Sequence, residues 1–516
     1  MNQGPALQIA WLHNIGFSLG HPFTTREASD EPASALVQYF VLRPGFADVL
    51  GRARQPQSAL LHARRGAGKT TSRLALTLQC QAGQMDAPVL PVTYVDFERP
   101  LVTAGVPAKI TLDQHIDELL RLGLAALFDA LADRPQRATS FVGGVRRQLA
   151  HYLRRYTSLL DDIGLDMWLA RHRLLSETCQ AETLRLGQVP ADAPFLTFVA
   201  GLLAVSDTPA MPVAPIANFA SFLALAQQAG FEAVYVLIDR VDERQPMAAD
   251  HAQAAALLAP LVSDIALMDL EGVAFKFFIP TAVLRALATQ LGDAFRPGRL
   301  VIRDISWDEA ALKELLDRRV SVFSEGVLPS LDAAAETPIV TRLAAAAGGS
   351  PRNLLRLAEW MLYWQHRRAG PSGALWLTAQ DAERAIASFN EEREAYLVAP
   401  EPSPTARRAA AEAMIRIDEA SEVWVGARCV GHLAAKRRRL LAYMLENEGR
   451  ELSYDQIGTR VHGDDWTLRG MTSASIDGLA KHLRRELGLG AAGERIIRKV
   501  PGGGYLFRQP QQSDFT

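Results

Sequence analysis

Residues Ala63 to Thr70 read Ala-Arg-Arg-Gly-Ala-Gly-Lys-Thr, a spacing that lets successive backbone N–H groups close around a chain of phosphates. In such a loop Gly66, Ala67 and Gly68 form the bed, Lys69 brings a positive charge to the β- and γ-phosphates, and the Thr70 hydroxyl faces Mg²⁺, with Thr71 completing the binding set. Glycine is needed at 66 and 68 because a side chain there would keep the backbone from the phosphate. The helix N-terminus that follows adds a favourable dipole. Ala63 stands where glycine is commoner, a tolerated change. A second chemical feature is Val234-Tyr235-Val236-Leu237-Ile238-Asp239, an apolar run ending in a carboxylate that can hold the Mg²⁺ shell beside such a loop. Just after it, Asp242 and Glu243 are carboxylates able to orient an attacking water, and either could serve as the base.

These groups need a scaffold, and the flanking sequence supplies one. Ser58 to His62 is a short apolar strand entering the loop, and Thr71 to Gln79 reads as a helix leaving it, the context a phosphate loop requires. Without that context, Gly-Lys-Thr is a surface turn, and an apolar strand ending in Asp is an ordinary core strand. Further strand-like runs are Val89 to Phe97, Ala233 to Ile238 and Val273 to Ile279, while Thr111 to Glu182 shows helical spacing. Strands separated by helices predict an α/β fold with a parallel sheet, the segment around residues 111–230 being a helical insertion.

From Trp307 to Trp364 the pattern is almost wholly helical, broken by Gly348-Gly349-Ser350-Pro351 before a new helix near Arg352. This predicts a helical lid. Val398 to Pro404 is proline-rich, as a linker would be. The expected domains are therefore residues 1–305, a core with its insertion; 306–397, a lid; 398–411, a linker; 412–510, a small α+β domain; and 511–516, a tail.

Composition excludes several classes. The 516 residues are 48% hydrophobic and 22% charged with a formal charge of −2, unlike a disordered or collagen-like chain, and no charge imbalance names a partner. The three cysteines, Cys80, Cys179 and Cys429, are far apart with no CxxC spacing, so neither a disulfide framework nor a cysteine zinc site is expected. Met1 to Ser18 lacks the charge and apolar pattern of a secretion signal, and no apolar run reaches ~18 residues. A cytoplasmic location without membrane spans is the expectation.

From Gly20 to Asn390 the chain resembles the AAA+ and STAND ATPases, P-loop NTPases, on its phosphate loop and its Ile-Asp-Arg-Val-Asp-Glu second motif. The resemblance implies ATP and Mg²⁺ as ligands and a homo-oligomer in the ATP state. It also implies that Thr281, ending the next strand, senses the γ-phosphate, as does Arg352 within Gly349 to Leu355 of the lid. Arg296, Arg299 and Arg303 become candidates for a finger reaching a neighbouring subunit's nucleotide. One departure is chemical: many AAA+ enzymes carry a catalytic glutamate directly after the second-motif aspartate, and here that position is Arg240. A slow switch is expected rather than a motor.

Beyond Glu412 the pattern changes to short strands, three helices and a closing hairpin. In Ser473 to Leu487 the positions Ile476, Leu479, Leu483 and Leu487 mark one apolar face, opposite Lys481, His482, Arg484 and Arg485. Arg495 to Phe507 reads as a hairpin with a glycine-rich tip. Together these residues resemble the winged helix of OmpR/PhoB-type transcription regulators, in which Val500-Pro501-Gly502-Gly503-Gly504-Tyr505 would be the wing. The resemblance implies duplex DNA as partner, met by Lys481, His482, Arg484 and Arg485 on the helix and by Lys499 and Gly503 in the wing. Charge supports this weakly, with 16 Lys and Arg against 14 Asp and Glu from Glu412 onward. The usual phosphoacceptor domain of such regulators is replaced by the ATPase. The expected function is an ATP-dependent switch governing DNA binding, in transcription regulation or anti-phage defence. The rivals are a DNA-stimulated remodeller or loader and a signalling scaffold whose winged helix binds protein.

Overall fold

The computed structural model describes residues 9–24, 31–176, 179–189, 193–206, 214–370, 373–398, 415–417, 422–425, 428–462, 472–489, 493–500 and 503–509. It divides into two compact units, Met1–Arg393 and Glu394–Thr516. Residues 399–411 of the linker expected over 398–411, the tail over 511–516, and Pro501 and Gly502 of the wing lie outside the described residues.

The first unit is built on a five-stranded parallel sheet in the order β2-β3-β4-β1-β5, with β1 Ala59–Ala63, β2 Val89–Tyr94, β3 Ala233–Ile238, β4 Val273–Pro280 and β5 Val301–Asp304. Both faces are covered, which explains why β3 and β4 are buried throughout and apolar at every position but Lys276 of β4. Alternation sends Val234, Val236 and Ile238 into one core with Leu120, Leu124, Phe128 and Phe222 of the insertion. Tyr235 and Leu237 enter the other, with Trp11, Leu36 and Phe46 of the N-terminal segment and Leu354 of the lid. The register sets Ala63 beside Pro280 and Ile238 beside Phe277, so the loops after β1, β3 and β4 emerge at one edge, where open α/β sheets place their ligands.

The insertion is helical as expected, with helices over Leu112–Asp133, Gly143–Tyr156, Asp162–Arg171, Pro194–Leu203 and Pro215–Gln228. A capping box between Thr111 and Gln114 fixes the start of the first. One strand is shorter than its pattern, and another was missed. The strand expected to reach Phe97 stops at Tyr94, because Asp96 Oδ1 accepts from the Glu98 N–H at 2.9 Å and turns the chain into the helix Glu98–Ala104. The edge strand β5 was not legible: its four residues, Val-Ile-Arg-Asp, are half exposed and too few to show a period. No helix among the described residues is long and apolar enough to cross a membrane.

The second unit has two small antiparallel sheets. One is β6 Ile415–Ile417, β7 Glu422–Val425 and β8 Arg428–His432; the other has the order β10-β11-β9, from β9 Glu451–Leu452, β10 Ile497–Lys499 and β11 Tyr505–Phe507. Helices Ala435–Glu446, Tyr454–His462 and Ser473–Glu486 pack Leu440, Ile457, Ile476 and Leu483 into one core with Phe507. The expected apolar face of the third helix is thus the buried one.

Candidate nucleotide site and winged helix

The helix after β1 starts at Lys69 itself, two residues earlier than the pattern suggested, and runs to Gln81. Gly66 and Gly68 have φ of 80° and 93°, the left-handed region that disfavours side chains. A Cβ on Gly66 would lie 3.3 Å from Arg352 Cβ and 3.4 Å from Ser350 Oγ, so the phosphate loop is pressed against the lid motif. Ser350 caps the lid helix Pro351–Ala369, and Arg352 therefore stands in its first turn. Trp307 ties the lid down further by donating its indole N–H to the Ala67 carbonyl at 2.9 Å, with the Arg43 guanidinium over its ring at 5.4 Å.

Lys69 is only 9% exposed, and its Nζ donates to the Arg64 carbonyl at 3.3 Å. Burial lowers its ammonium from the ordinary lysine value; Asp242 and then Asp239 oppose this, while Arg352 and Arg65 add to it. The lysine, both carboxylates and the lid arginine thus share one electrostatic environment. Asp239, 2% exposed, is fully engaged: Oδ2 accepts from Arg73 Nε at 3.1 Å and Oδ1 from the Arg240 N–H at 2.9 Å. Arg240 adopts a φ of 65°, which costs a non-glycine residue about 1 kcal/mol or more, and its Nε lies 3.5 Å from Glu243 Oε2. The position expected to hold a catalytic glutamate therefore holds a cation paired with Glu243, three residues on.

A cavity of about 340 Å³ gathers these groups, its walls including Gly66, Gly68, Lys69, Thr70, Thr71, Asp239, Asp242, Glu243 and Arg352. Arg352 Nε is buried there without an acceptor among the described residues, an unsatisfied donor that an anionic phosphate would satisfy. Thr70 and Asp239 line the same wall, a hydroxyl and a carboxylate of the type Mg²⁺ takes alongside phosphate oxygens. The residues present thus fit a nucleotide with its ion.

Other expected site residues lie elsewhere. Thr281 is not among the cavity's lining residues; its hydroxyl lies 3.1 Å from His62 Nδ1. Neither do Arg296, Arg299 and Arg303 line it: Arg299 pairs with Asp269 and Arg303 with Asp48, while Arg296 is exposed. Sequence reasoning overlooked Arg73, Trp307 and Arg43. Arg73 could have been found, since it falls one helical turn after Lys69 and so on the same helix face.

In the second unit the helix Ser473–Glu486 exposes Lys481, His482 and Arg485, with Arg485 Nη2 2.7 Å from His482 Nδ1. Arg484 points differently. It is half-buried, donates from Nε and Nη2 to the Ile497 carbonyl, and lies over the Tyr505 ring at 5.6 Å. Lys499 donates to Asp477 Oδ2 at 2.7 Å, and Asp477 Oδ1 accepts from the Tyr454 and Tyr505 hydroxyls at 2.7 and 2.8 Å. Burial raises the Asp477 pKa, but the hydrogen bonds from Lys499, Tyr454 and Tyr505 outweigh it and hold the carboxyl below its usual value. Asp477 thereby fastens the hairpin to the helix. Gly503 has a φ of 96°, and a Cβ there would come within 2.9 Å of Tyr454 Cε2, so glycine at this position is demanded by the turn itself.

The chain shows remote similarity to several solved structures. The Aeropyrum pernix ORC1 protein, solved in complex with DNA, is 13% identical with a TM-score of 0.34, covering 94% of each chain. The Walker-type ATPase PABY2304 of Pyrococcus abyssi is 13% identical with a TM-score of 0.32, covering 91% of this chain and 94% of that one. The Aeropyrum pernix ORC2 protein, in ADPNP–ADP complexes, is 12% identical with a TM-score of 0.32, covering 93% of each. These scores are too low to transfer a residue's role; the P-loop architecture rests on the parallel sheet and the loop geometry. No curated protein matches the sequence. Residues 429–507 match the family described as transcriptional regulatory protein, C terminal, so the second unit carries an OmpR/PhoB-type winged-helix domain.

Proposed function

We propose that the protein is an ATP-binding switch of the AAA+/STAND kind whose nucleotide state governs DNA binding by its winged helix. The observation that carries this is one cavity uniting Lys69, Asp239, Asp242, Glu243 and Arg352, in which the Arg352 Nε is buried and has no acceptor among the described residues. Mg²⁺, when bound, would offset phosphate charge. The chain's own residues do the rest: the loop amides and Lys69 hold the phosphates, Thr70 and Asp239 the ion, Arg352 reports the γ-phosphate to the lid, and Glu243 or Asp242 orients water. Arg240 in place of the usual glutamate favours slow turnover. A homo-oligomer in the ATP state, with Arg296 as the exposed member of the three finger candidates, and a cytoplasmic role in transcription regulation or defence complete the proposal. Thr281 would then act through His62 rather than by touching the nucleotide.

A thermal-shift measurement with Mg-ATP on the parent and Lys69→Ala tests the site. The parent is expected to gain several degrees and the variant none; equal shifts would remove the phosphate loop from the proposal. A second possibility, a winged helix that binds protein, is favoured by one observation: Lys499, the wing's candidate phosphate contact, is already paired with Asp477. Absence of any duplex affinity in the full chain at low salt, with and without ATP, would decide for it.

A further inference from the structure

Away from the phosphate loop, the walls of the same cavity are largely apolar, formed by Phe40, Val41, Phe46, Ile305, Leu315 and Leu355, with one charged pair set among them. That pair is Glu31 and Arg319, each side chain 2% exposed. Arg319 is pinned in place: Nη2 donates to Glu31 Oε1, Nε to the Pro22 carbonyl, and the guanidinium lies over the Tyr39 ring at 4.7 Å and the Phe323 ring at 5.0 Å. The Tyr39 hydroxyl stands beside the same carboxylate, its pKa pushed up to about 12 chiefly by burial. The other carboxylate oxygen, Glu31 Oε2, is buried and has no hydrogen-bond donor among the described residues. A buried acceptor left unsatisfied in an otherwise apolar pocket is costly unless a ligand supplies the donor.

We propose that Glu31 is a specificity-determining residue that selects adenine by accepting a hydrogen bond from its exocyclic amino group. The inference rests on the nucleotide site proposed above. A carboxylate oxygen accepts and does not donate, so the base edge facing it must carry an N–H. Guanine offers two adjacent donors on its Watson–Crick edge, which call for both oxygens of a carboxylate, and here Oε1 is committed to Arg319. One open acceptor matches one amino group. Hypoxanthine carries a carbonyl where adenine has the amine, and a hydrogen on N1 where adenine has none, so at the position of the amine it would set oxygen against oxygen. Arg319 is a positioning residue, holding the Glu31 carboxylate in the cavity wall through its bond to Oε1.

The test is calorimetric titration of the full chain with Mg-ATP, Mg-ITP and Mg-GTP, with inorganic tripolyphosphate as a probe of the phosphate loop alone. The parent should bind ATP about 30-fold or more tighter than ITP or GTP, as expected where a site is built around a substrate N–H. Glu31→Gln, whose amide can turn a donor toward a carbonyl, should bring ATP and ITP within about threefold while leaving tripolyphosphate affinity unchanged. Glu31→Asp keeps the charge but withdraws the acceptor, and should lower the ATP preference without improving ITP. Equal binding of ATP and ITP by the parent, with tripolyphosphate still bound, would overturn the inference and leave the nucleotide site intact. A parent that binds none of the four would overturn that site and the inference with it. Should both variants fail to fold, the parent's ATP-to-ITP ratio still decides.

Discussion

Arg73 and Asp239 form a buried ion pair, 3.1 Å from Nε to Oδ2, that joins the phosphate-loop helix to the end of β3. The carboxylate proposed for the metal thus carries a protein cation already. Burial lowers the Arg73 pKa and Asp239 restores part of it, so each group makes the other's burial tolerable.

Arg73→Gln should leave Asp239 as a buried charge with only the Arg240 amide for company, destabilising the nucleotide-free protein by about 3 kcal/mol in urea denaturation. Mg-ATP should then stabilise the variant more than it does the parent, because the ion supplies the missing positive charge. Equal nucleotide stabilisation in the two proteins would show that the ion and Arg73 do not share Asp239.

For hydrolysis, Asp239→Asn and Glu243→Gln are both expected to suppress turnover, the second by about 100-fold while still binding ATP. The first would disturb the carboxylate proposed for the metal; the second would remove only the group proposed to orient water. Since Glu243 also pairs with Arg240, parent-like turnover in Glu243→Gln would transfer the base to Asp242, which stands in the same cavity wall.

On the winged helix, the two adjacent arginines should behave differently. Arg485→Ala should weaken duplex binding on all sequences and reduce the salt slope by about one unit, with stability unchanged, because its side chain is exposed. Arg484→Ala should lower the melting temperature of the second unit, since it removes two donors from the Ile497 carbonyl. Binding titrations over a salt series, paired with thermal melts, separate the two effects.

Acid should loosen the insertion through His115. This imidazole is fully buried, with Nδ1 2.7 Å from the Tyr94 hydroxyl and Nε2 2.8 Å from the Leu257 carbonyl, and burial lowers its pKa to about 4. Because the folded value lies below the unfolded 6.5, the unfolded chain binds more protons between the two. The His115 contribution to stability should therefore be constant above pH 6.5 and fall by up to about 3 kcal/mol as pH drops toward 4. His115→Gln should lose this component of the slope in denaturation curves recorded across that range.

The sequence alone determined the features that depend on local order: the glycine spacing and Lys-Thr of the phosphate loop, the apolar run into Asp239, the insertion's helical period and the buried face of the third winged-helix segment. Each is set by residues close together in the chain, so pattern reaches it. It could not supply relationships between distant segments. Nothing local pairs Arg73 with Asp239, aims Arg352 at Gly66, brings Glu31 to Arg319, or turns Arg484 to the hairpin while Arg485 stays outside. Those were decided by the sheet register and by which helices cover each face, because hydrogen-bond and ion-pair partners are chosen by where packing leaves the backbone.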